Sequence, residues 1–317
     1  MNLKHLVFVL MAVAVASSSV MAQQYLRIGT GGTAGTYYPV GVLVAKVVSQ
    51  PGKIIATAQT SNGSLGNAIG VDSGSLETGF IQADVASWAH SGSGIFAGKP
   101  ALSGLRLIAN LYPESIHIVV RKASGIKSVL DLRGRRVALD EAGSGTLISA
   151  RQVLGVYGLK ESDIKPEYIK PNQAADRLRA GTIDAFFTMV GAPGKAISEL
   201  AASGLGLELL ALDGAAADQL IASNPFLFKE TIAANTYPGI AAVATLAVGA
   251  QWVASDKLDA ELVYQVTKAL YSEAGQKALS SGHAKGRVMT LENAVRGAGI
   301  PWHPGAQRFF REVGVLK

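Results

Sequence analysis

Tyr25-Leu-Arg-Ile-Gly-Thr-Gly-Gly-Thr-Ala-Gly-Thr-Tyr-Tyr-Pro39 is the most informative stretch of the chain. Tyr25–Gly29 reads as a strand, and the glycines that follow form a turn. A helix then runs from about Tyr37 to Ser49, with Val40, Leu43, Val44, Val47 and Val48 at helical spacing. Pro39 sits in its first turn, where a missing N–H is harmless. Glycines let a backbone approach a ligand closely, and the N–H groups of a helix start point at anions. Thr33, Thr36 and Tyr37 add hydroxyls.

A dinucleotide site is the obvious rival, because Gly29, Gly31 and Ala34 fit G-x-G-x-x-A. That fingerprint needs an acidic residue about 20 positions on for the ribose. Between Gln23 and Val71 there is no Asp or Glu. A bare βα turn without any ligand is the plainer reading. Two similar elements recur, however. Ser61-Asn62-Gly63-Ser64 and Gly143-Ser144-Gly145-Thr146 both follow strands and open helices with capping residues. In open α/β sheets such loops gather at the carboxyl ends of the strands, where ligands bind.

Working outward, short apolar runs alternate with helix-like stretches along the chain, the pattern of an α/β sheet. Further strands are predicted at Ile54–Thr60, Thr78–Gln82, Leu105–Leu111, Ile116–Arg121, Arg136–Asp140, Lys165–Ile169, Ile183–Thr188, Leu207–Leu212 and Ala244–Val253. Helices lie between them, and a helical tail follows Asp256. The joins at Ile116–Arg121 and Ala244–Val253 have no flexible-linker composition. Two α/β units joined by a pair of crossing strands are therefore expected, with the tail returning to the first unit.

The chain has 317 residues, 16% charged, with 36 glycines and no cysteine. That length suits about two domains with substantial cores. Met1–Ala22 reads as a secretory signal: Lys4 and His5, the apolar run Leu6–Ala16, then Val20 and Ala22 as a small-residue cleavage pattern. Zero cysteine excludes a disulfide framework, thiolate metal sites, a cysteine nucleophile and a lipid anchor at the cleavage site. The net charge of +6 is scattered, and Arg133, Arg135 and Arg136 form its densest cluster. Nucleic-acid binding would need a longer basic stripe.

Catalytic patterns fail in turn. No G-x-S-x-G elbow and no Walker sequence occur. His90, His117, His283 and His303 show no metal-ligand spacing. His117 sits in an apolar strand and reads as a packed residue. The pair Asp140 and Glu141, in a strand-end turn, cannot be assigned roles without a fold. The motifs favour binding without turnover, with neither metal nor cofactor.

Arg27–Pro39, Ser61–Ser64, Phe80-Ile-Gln-Ala-Asp84, Leu111-Tyr-Pro-Glu-Ser-Ile-His117, Asp131-Leu-Arg-Gly-Arg-Arg-Val137, Gly143–Thr146 and Tyr237-Pro-Gly239 occur in that order. The series resembles the TAXI group, the extracytoplasmic solute receptors of TRAP transporters. The resemblance implies a two-lobe type II periplasmic binding protein fold with two crossing hinge strands. It implies lobe I at residues 23–118 plus 247–317 and lobe II at 119–246. It further implies a periplasmic, monomeric receptor that binds a small carboxylate, such as glutamate, glutamine or a dicarboxylate, and delivers it to a TRAP permease. A receptor for an ABC importer is the alternative. Enzymes on this architecture such as porphobilinogen deaminase need a cysteine for their cofactor, and a transcriptional effector domain fits poorly with an export signal.

The family's pocket loops map onto Gly32, Thr33, Gly35, Thr36, Tyr37, Ser61, Asn62, Gly63, Ser64, Gln82, Tyr112, Gly143, Ser144, Gly145 and Thr146. Gly191, Pro193 and Tyr237 match family motifs as well. No arginine lies in the three Gly-Ser-Thr loops, so backbone N–H groups and hydroxyls would hold the anion. Arg121 and Arg151 are the nearest cationic candidates. Arg151 falls in the second turn of its helix, away from the N-terminal tip.

Overall fold

The computed structural model describes residues 23–317; the signal-peptide pattern at 1–22 lies outside them. The first unit begins with β1 (Gln24–Gly29), α1 (Tyr37–Val48), β2 (Ile54–Gln59), α2 (Ser64–Asp72), β3 (Thr78–Gln82) and α3 (Ala83–Ser91). β1 pairs in parallel with β2 and β3, the pairing that helical βαβ crossovers give. Val40, Val44 and Val48 of α1 are fully buried against this sheet.

The chain then enters β4 (Leu105–Arg121), a single strand of 17 residues where two strands are predicted from sequence. Pro113 suggests a break, since it cannot donate to a ladder. It is tolerated because it faces Gly249 beside a register shift, where the pairing is already irregular.

The second unit follows with β5 (Arg136–Ala138), α4 (Gly145–Val156), β6 (Lys165–Glu167), α5 (Pro171–Ala180), β7 (Ala185–Val190), α6 (Lys195–Ala202), β8 (Leu207–Leu209), α7 (Gly214–Ser223) and β9 (Phe228–Ile232). α7 and β9 are absent from the sequence reading; they lie in a stretch of mixed polarity with no clean period. β10 (Val243–Ser255) leads back to the first unit. The tail comprises α8 (Ala260–Leu270), α9 (Glu273–Gly282), α10 (Leu291–Ala294) and α11 (Pro304–Glu312).

The strands form one sheet in the order β2-β1-β3-β10-β4-β7-β5-β6, with β8 on β4 and β9 on β10. β4 and β10 are antiparallel to each other from Leu105 to Ser115. Beyond that, β4 continues beside β7 through Val120. At its other side β10 pairs with β3 near its end and with β9 near its start. The two long strands therefore belong to both lobes.

Buried apolar side chains fill both faces of each half of the sheet. The tail seals one face of the first lobe. Tyr271 stacks on Phe309 at 6.2 Å between ring centroids, and Phe310 meets Tyr271 and Trp302 edge-on at 5.6 and 5.4 Å. Phe310 is fully buried.

Phe310→Ala should destabilise the protein by about 3–5 kcal/mol, whereas Val42→Ala on the exposed face of α1 should stay within about 0.5 kcal/mol. Urea midpoints at constant slope check both. A Phe310 variant within 1 kcal/mol of wild type would show that the tail contributes little to the core.

Candidate functional site

The N-termini of three helices meet where the lobes face each other. α1 brings Gly35, Thr36 and Tyr37; α2 brings Asn62, Gly63 and Ser64; α4 brings Ser144, Gly145 and Thr146. Together with Gln82 at the end of β3 they line a cleft of about 520 Å³, open solvent at its mouth included. The backbone N–H groups of Tyr37, Ser64, Gly145 and Thr146 find no acceptor among the described residues. A helix start leaves such donors free and carries partial positive charge, so the chemistry of this end of the cleft favours an anion over a cation.

Local chemistry sets each of these tips. Ser144 caps α4 by accepting from Leu147 N–H at 3.1 Å. Gly63 precedes α2 with a φ of 96°, open to glycine and strained for other residues. Ser61 lies within hydrogen-bond distance of the Thr30 carbonyl and Asn67 Oδ1, and its oxygen accepts from Gly63 N–H at 2.9 Å. It ties the loop down from behind and does not line the cleft.

The lobes touch around the cleft. Asn62 Nδ2 donates to the Ala142 carbonyl at 3.1 Å, and the Leu65 and Gly66 N–H groups donate to the Gly143 carbonyl. Thr36 Oγ1 donates to the Gly191 carbonyl at 2.9 Å. Gln82 Nε2 reaches Ser149 Oγ at 3.3 Å, lying against Gly145, where a Cβ would fall 1.3 Å from Gln82 Oε1. Behind the cleft, Asn224 Nδ2 donates to the buried Asp84 carboxylate at 2.8 Å. This is a closed arrangement of the two lobes.

Several residues expected at the site are elsewhere. Thr33 is exposed at the turn. Gly143 and Gly191 use their carbonyls in the lobe-to-lobe contacts above, and neither lines the cleft. Pro193 lies in a neighbouring groove with Glu230 and Lys285. Tyr237 is buried in the second lobe, where its hydroxyl accepts from Gly194 N–H and meets His117 Nε2, both at 2.9 Å. His117 Nδ1 lies 2.8 Å from the Ser115 carbonyl. Burial holds the His117 ring near pKa 4, so it is a neutral bridge with both nitrogens engaged. Tyr112 packs into the first-lobe core with Tyr37 and Phe80. Arg121 does not line the cleft, and Arg151 pairs with Glu161.

The sequence reading left Asp140 and Glu141 without a role and did not single out Glu114. Glu114, two residues past Tyr112, lines the cleft fully buried and accepts from Tyr37 Oη at 2.6 Å. Asp140 and Glu141 line it from the loop after β5, with Lys170 Nζ 3.4 Å from Glu141. Asp140 has a φ of 73° and accepts from Glu141 N–H at 2.8 Å. Pro171, Thr188, Met189, Val190, Gly31 and Gly32 complete the lining. The one usable signal was Asp140-Glu141 just ahead of a polar helix start. Glu114 had none, because a carboxylate in an apolar strand shows its face only after pairing.

Burial raises the Glu114 carboxyl to about 8, with Asp84 adding to the rise and Tyr37 and Lys285 opposing it. Burial likewise raises Asp140 to about 6. A folded carboxyl that holds its proton longer than the unfolded one makes stability fall as pH rises. For Glu114 that loss should run from about pH 4.5 to pH 8. Glu114→Gln should flatten this part of the profile, as read from urea unfolding at pH 5, 6.5 and 8. Parallel wild-type and variant profiles would show that Glu114 does not carry the proton. Gly145→Ala should keep the fold, since its backbone lies outside the left-handed region, but wedge Gln82 away and open the lobes. Small-angle scattering should then give a larger radius of gyration than wild type; an unchanged radius would show that Gln82 simply swings aside.

Comparison with known proteins agrees on the architecture and corrects the family. The alkanesulfonate-binding protein SsuA from Xanthomonas axonopodis pv. citri, solved bound to MOPS, is 20% identical, with 90% of this chain and 83% of that chain covered at a TM-score of 0.52. PhnD1 from Prochlorococcus marinus (MIT 9301), solved with methylphosphonate, is 12% identical, with 81% and 89% covered at 0.53. The fold is thus the two-lobe type II periplasmic binding protein fold. An Escherichia coli (strain K12) protein named for binding aliphatic sulfonates is 36% identical over 74 residues, 23% of this chain and 23% of that protein. The match spans about a quarter of that relative's length. None of these is a TAXI receptor, so the resemblance to that group is overturned, and with it the expected TRAP permease. The model of the NMT1-like family matches residues 28–314, and the chain belongs to that family.

Proposed function

We propose that the chain is the solute receptor of an ABC-type importer, working outside the cytoplasmic membrane and capturing a small organic anion of the sulfonate or phosphonate kind. One observation carries this reading. Three helix N-termini, two from one lobe and one from the other, put unpaired N–H donors into a single cleft between the lobes. Such donors suit a compact oxyanion and need no arginine. The relatives named for sulfonates and phosphonates support the choice of head group, and the signal-like pattern at 1–22 supports the location.

The mechanism is a balance of open and closed forms. We take lobe I as residues 23–118 plus 247–317 and lobe II as 119–246, with the change of lobe inside β4 and β10. A solute that bridges the α1 and α2 tips to the α4 tip adds contacts only in the closed form, and so draws the balance toward it. The Gly-Ser-Thr loops, with Gly32, Gln82 and Tyr37, form the binding surface. No bond is made or broken, consistent with His117 being fully engaged away from the cleft.

The test is thermal unfolding against a panel of sulfonates, phosphonates, amino acids and dicarboxylates. A solute at a hundredfold excess over its Kd stabilises the folded state by about 2.7 kcal/mol, which should raise Tm by about 5 °C or more. A sulfonate or phosphonate should give that shift. If none does while another class shifts Tm, the assigned head group is wrong; if nothing shifts it, the receptor reading fails.

A further inference from the structure

The helical tail seals the first lobe, and one of its residues also crosses to the second. Lys285 lies in the short turn Ala284–Val288 between α9 and α10. Its neighbours fix it there. Its own N–H donates to His283 Nδ1 at 3.1 Å, and the Gly286 N–H donates to the His283 carbonyl at 2.9 Å. Gly286 packs so closely on α9 that a Cβ would fall 1.9 Å from the Leu279 carbonyl oxygen. Met289 is fully buried in the first-lobe core. The turn therefore cannot shift without disturbing that core.

From this anchor the Lys285 side chain reaches lobe II at Gly191, the residue after β7. A Cβ on Gly191 would fall 2.8 Å from Lys285 Cγ, 2.9 Å from Lys285 Cε and 3.1 Å from Thr36 Cγ2. Thr36 Oγ1 holds the carbonyl of the same glycine at 2.9 Å. One residue from α1 and one from the tail, both of lobe I, thus close on a single glycine of lobe II. Glu230 lines the adjoining groove with Lys285 and attracts its ammonium. A partly exposed charge pair is worth little, whereas a lysine stem packs as apolar surface.

We propose that Lys285 and Thr36 form a clasp on Gly191 that holds the lobes together even without solute, through the lysine stem rather than its charge. Neither Lys285 nor Gly191 lines the cleft. Both are positioning residues: they act on the balance of open and closed forms, and so change the affinity for every solute by the same factor. The tail is then part of the closing device as well as of the first-lobe core.

The chain has no cysteine, so nitroxides on Ile69→Cys of α2 and Leu130→Cys ahead of β5, both exposed and on opposite lobes, report lobe separation cleanly. Pulsed electron resonance on the solute-free protein should show a closed population in wild type. Gly191→Ala suits the backbone, which lies outside the left-handed region there, but should wedge the clasp. It and Lys285→Ala should each cut the closed-to-open ratio by about fourfold or more, the loss expected for one methylene taken out of contact. Lys285→Met keeps the stem and should stay within about twofold of wild type. With the stem gone, a methyl at position 191 meets only Thr36, so Lys285→Ala combined with Gly191→Ala should match Lys285→Ala alone within about twofold. A wild type that shows only the open distance overturns the clasp. So do unchanged single variants, or single-variant losses that multiply in the double variant. A loss in Lys285→Met as large as in Lys285→Ala would assign the hold to the charge and overturn the stem's role. Because no solute is added, none of these outcomes bears on the receptor reading.

Discussion

Everything in this protein is arranged around the antiparallel pair β4 and β10. Each strand runs through both lobes without a linker, so the lobes share a hydrogen-bonded ladder from Leu105 to Ser115. The ladder fixes which lobe edges face each other. It also limits relative motion to a bend and twist of two strands, since sliding would break the register. The irregularity around Tyr112 and Pro113, opposite Gly249 and Ala250, lies at the point where such bending would be easiest. Glu114 sits immediately beside it, so the buried acid of the cleft and the pivot are neighbours in the chain.

The cleft combines two electrostatic surfaces that would be incompatible if either were larger. Helix tips supply partial positive charge that fades within a turn. The Asp140 carboxyl, raised to about 6, supplies the opposite sign, whereas burial keeps Glu114 protonated and uncharged at neutral pH. The closed form is held by a handful of hydrogen bonds between the lobes, several to backbone carbonyls. Each such bond is worth only about 0.5–1.5 kcal/mol net. Closure on that scale is reversible, which a receptor must be if it is to release what it binds.

Much of the architecture is legible in the chain. Strands near 25–29, 54–60 and 78–82 and the helix after Tyr37 stand out because valine spacing and glycine punctuation agree there. The long Ala244–Val253 run and the unbroken chemistry of Ile116–Arg121 were enough to expect two crossing strands. α7 and β9 were not legible, because their faces are half polar and their pairing partners are distant. The family series misled, since Gly-Ser-Thr helix starts follow from the chemistry of capping and anion binding, which unrelated receptors share.

Sequence alone established the α/β class, the absence of thiol chemistry, and three polar helix starts able to meet an anion, because periodicity and capping are local properties of neighbouring residues. It also pointed to Gly32, Gly35, Thr36, Tyr37, Asn62, Gly63, Ser64, Gln82, Ser144, Gly145 and Thr146, all of which line the cleft. Only the tertiary structure decided that Tyr112 and Tyr237 belong to the core, that Gly143 and Gly191 join the lobes, and that Glu114, Asp140 and Thr188 share one wall. Those facts depend on strand order and register between residues tens of positions apart. No local pattern records which face a strand residue will turn toward a partner it meets only after folding.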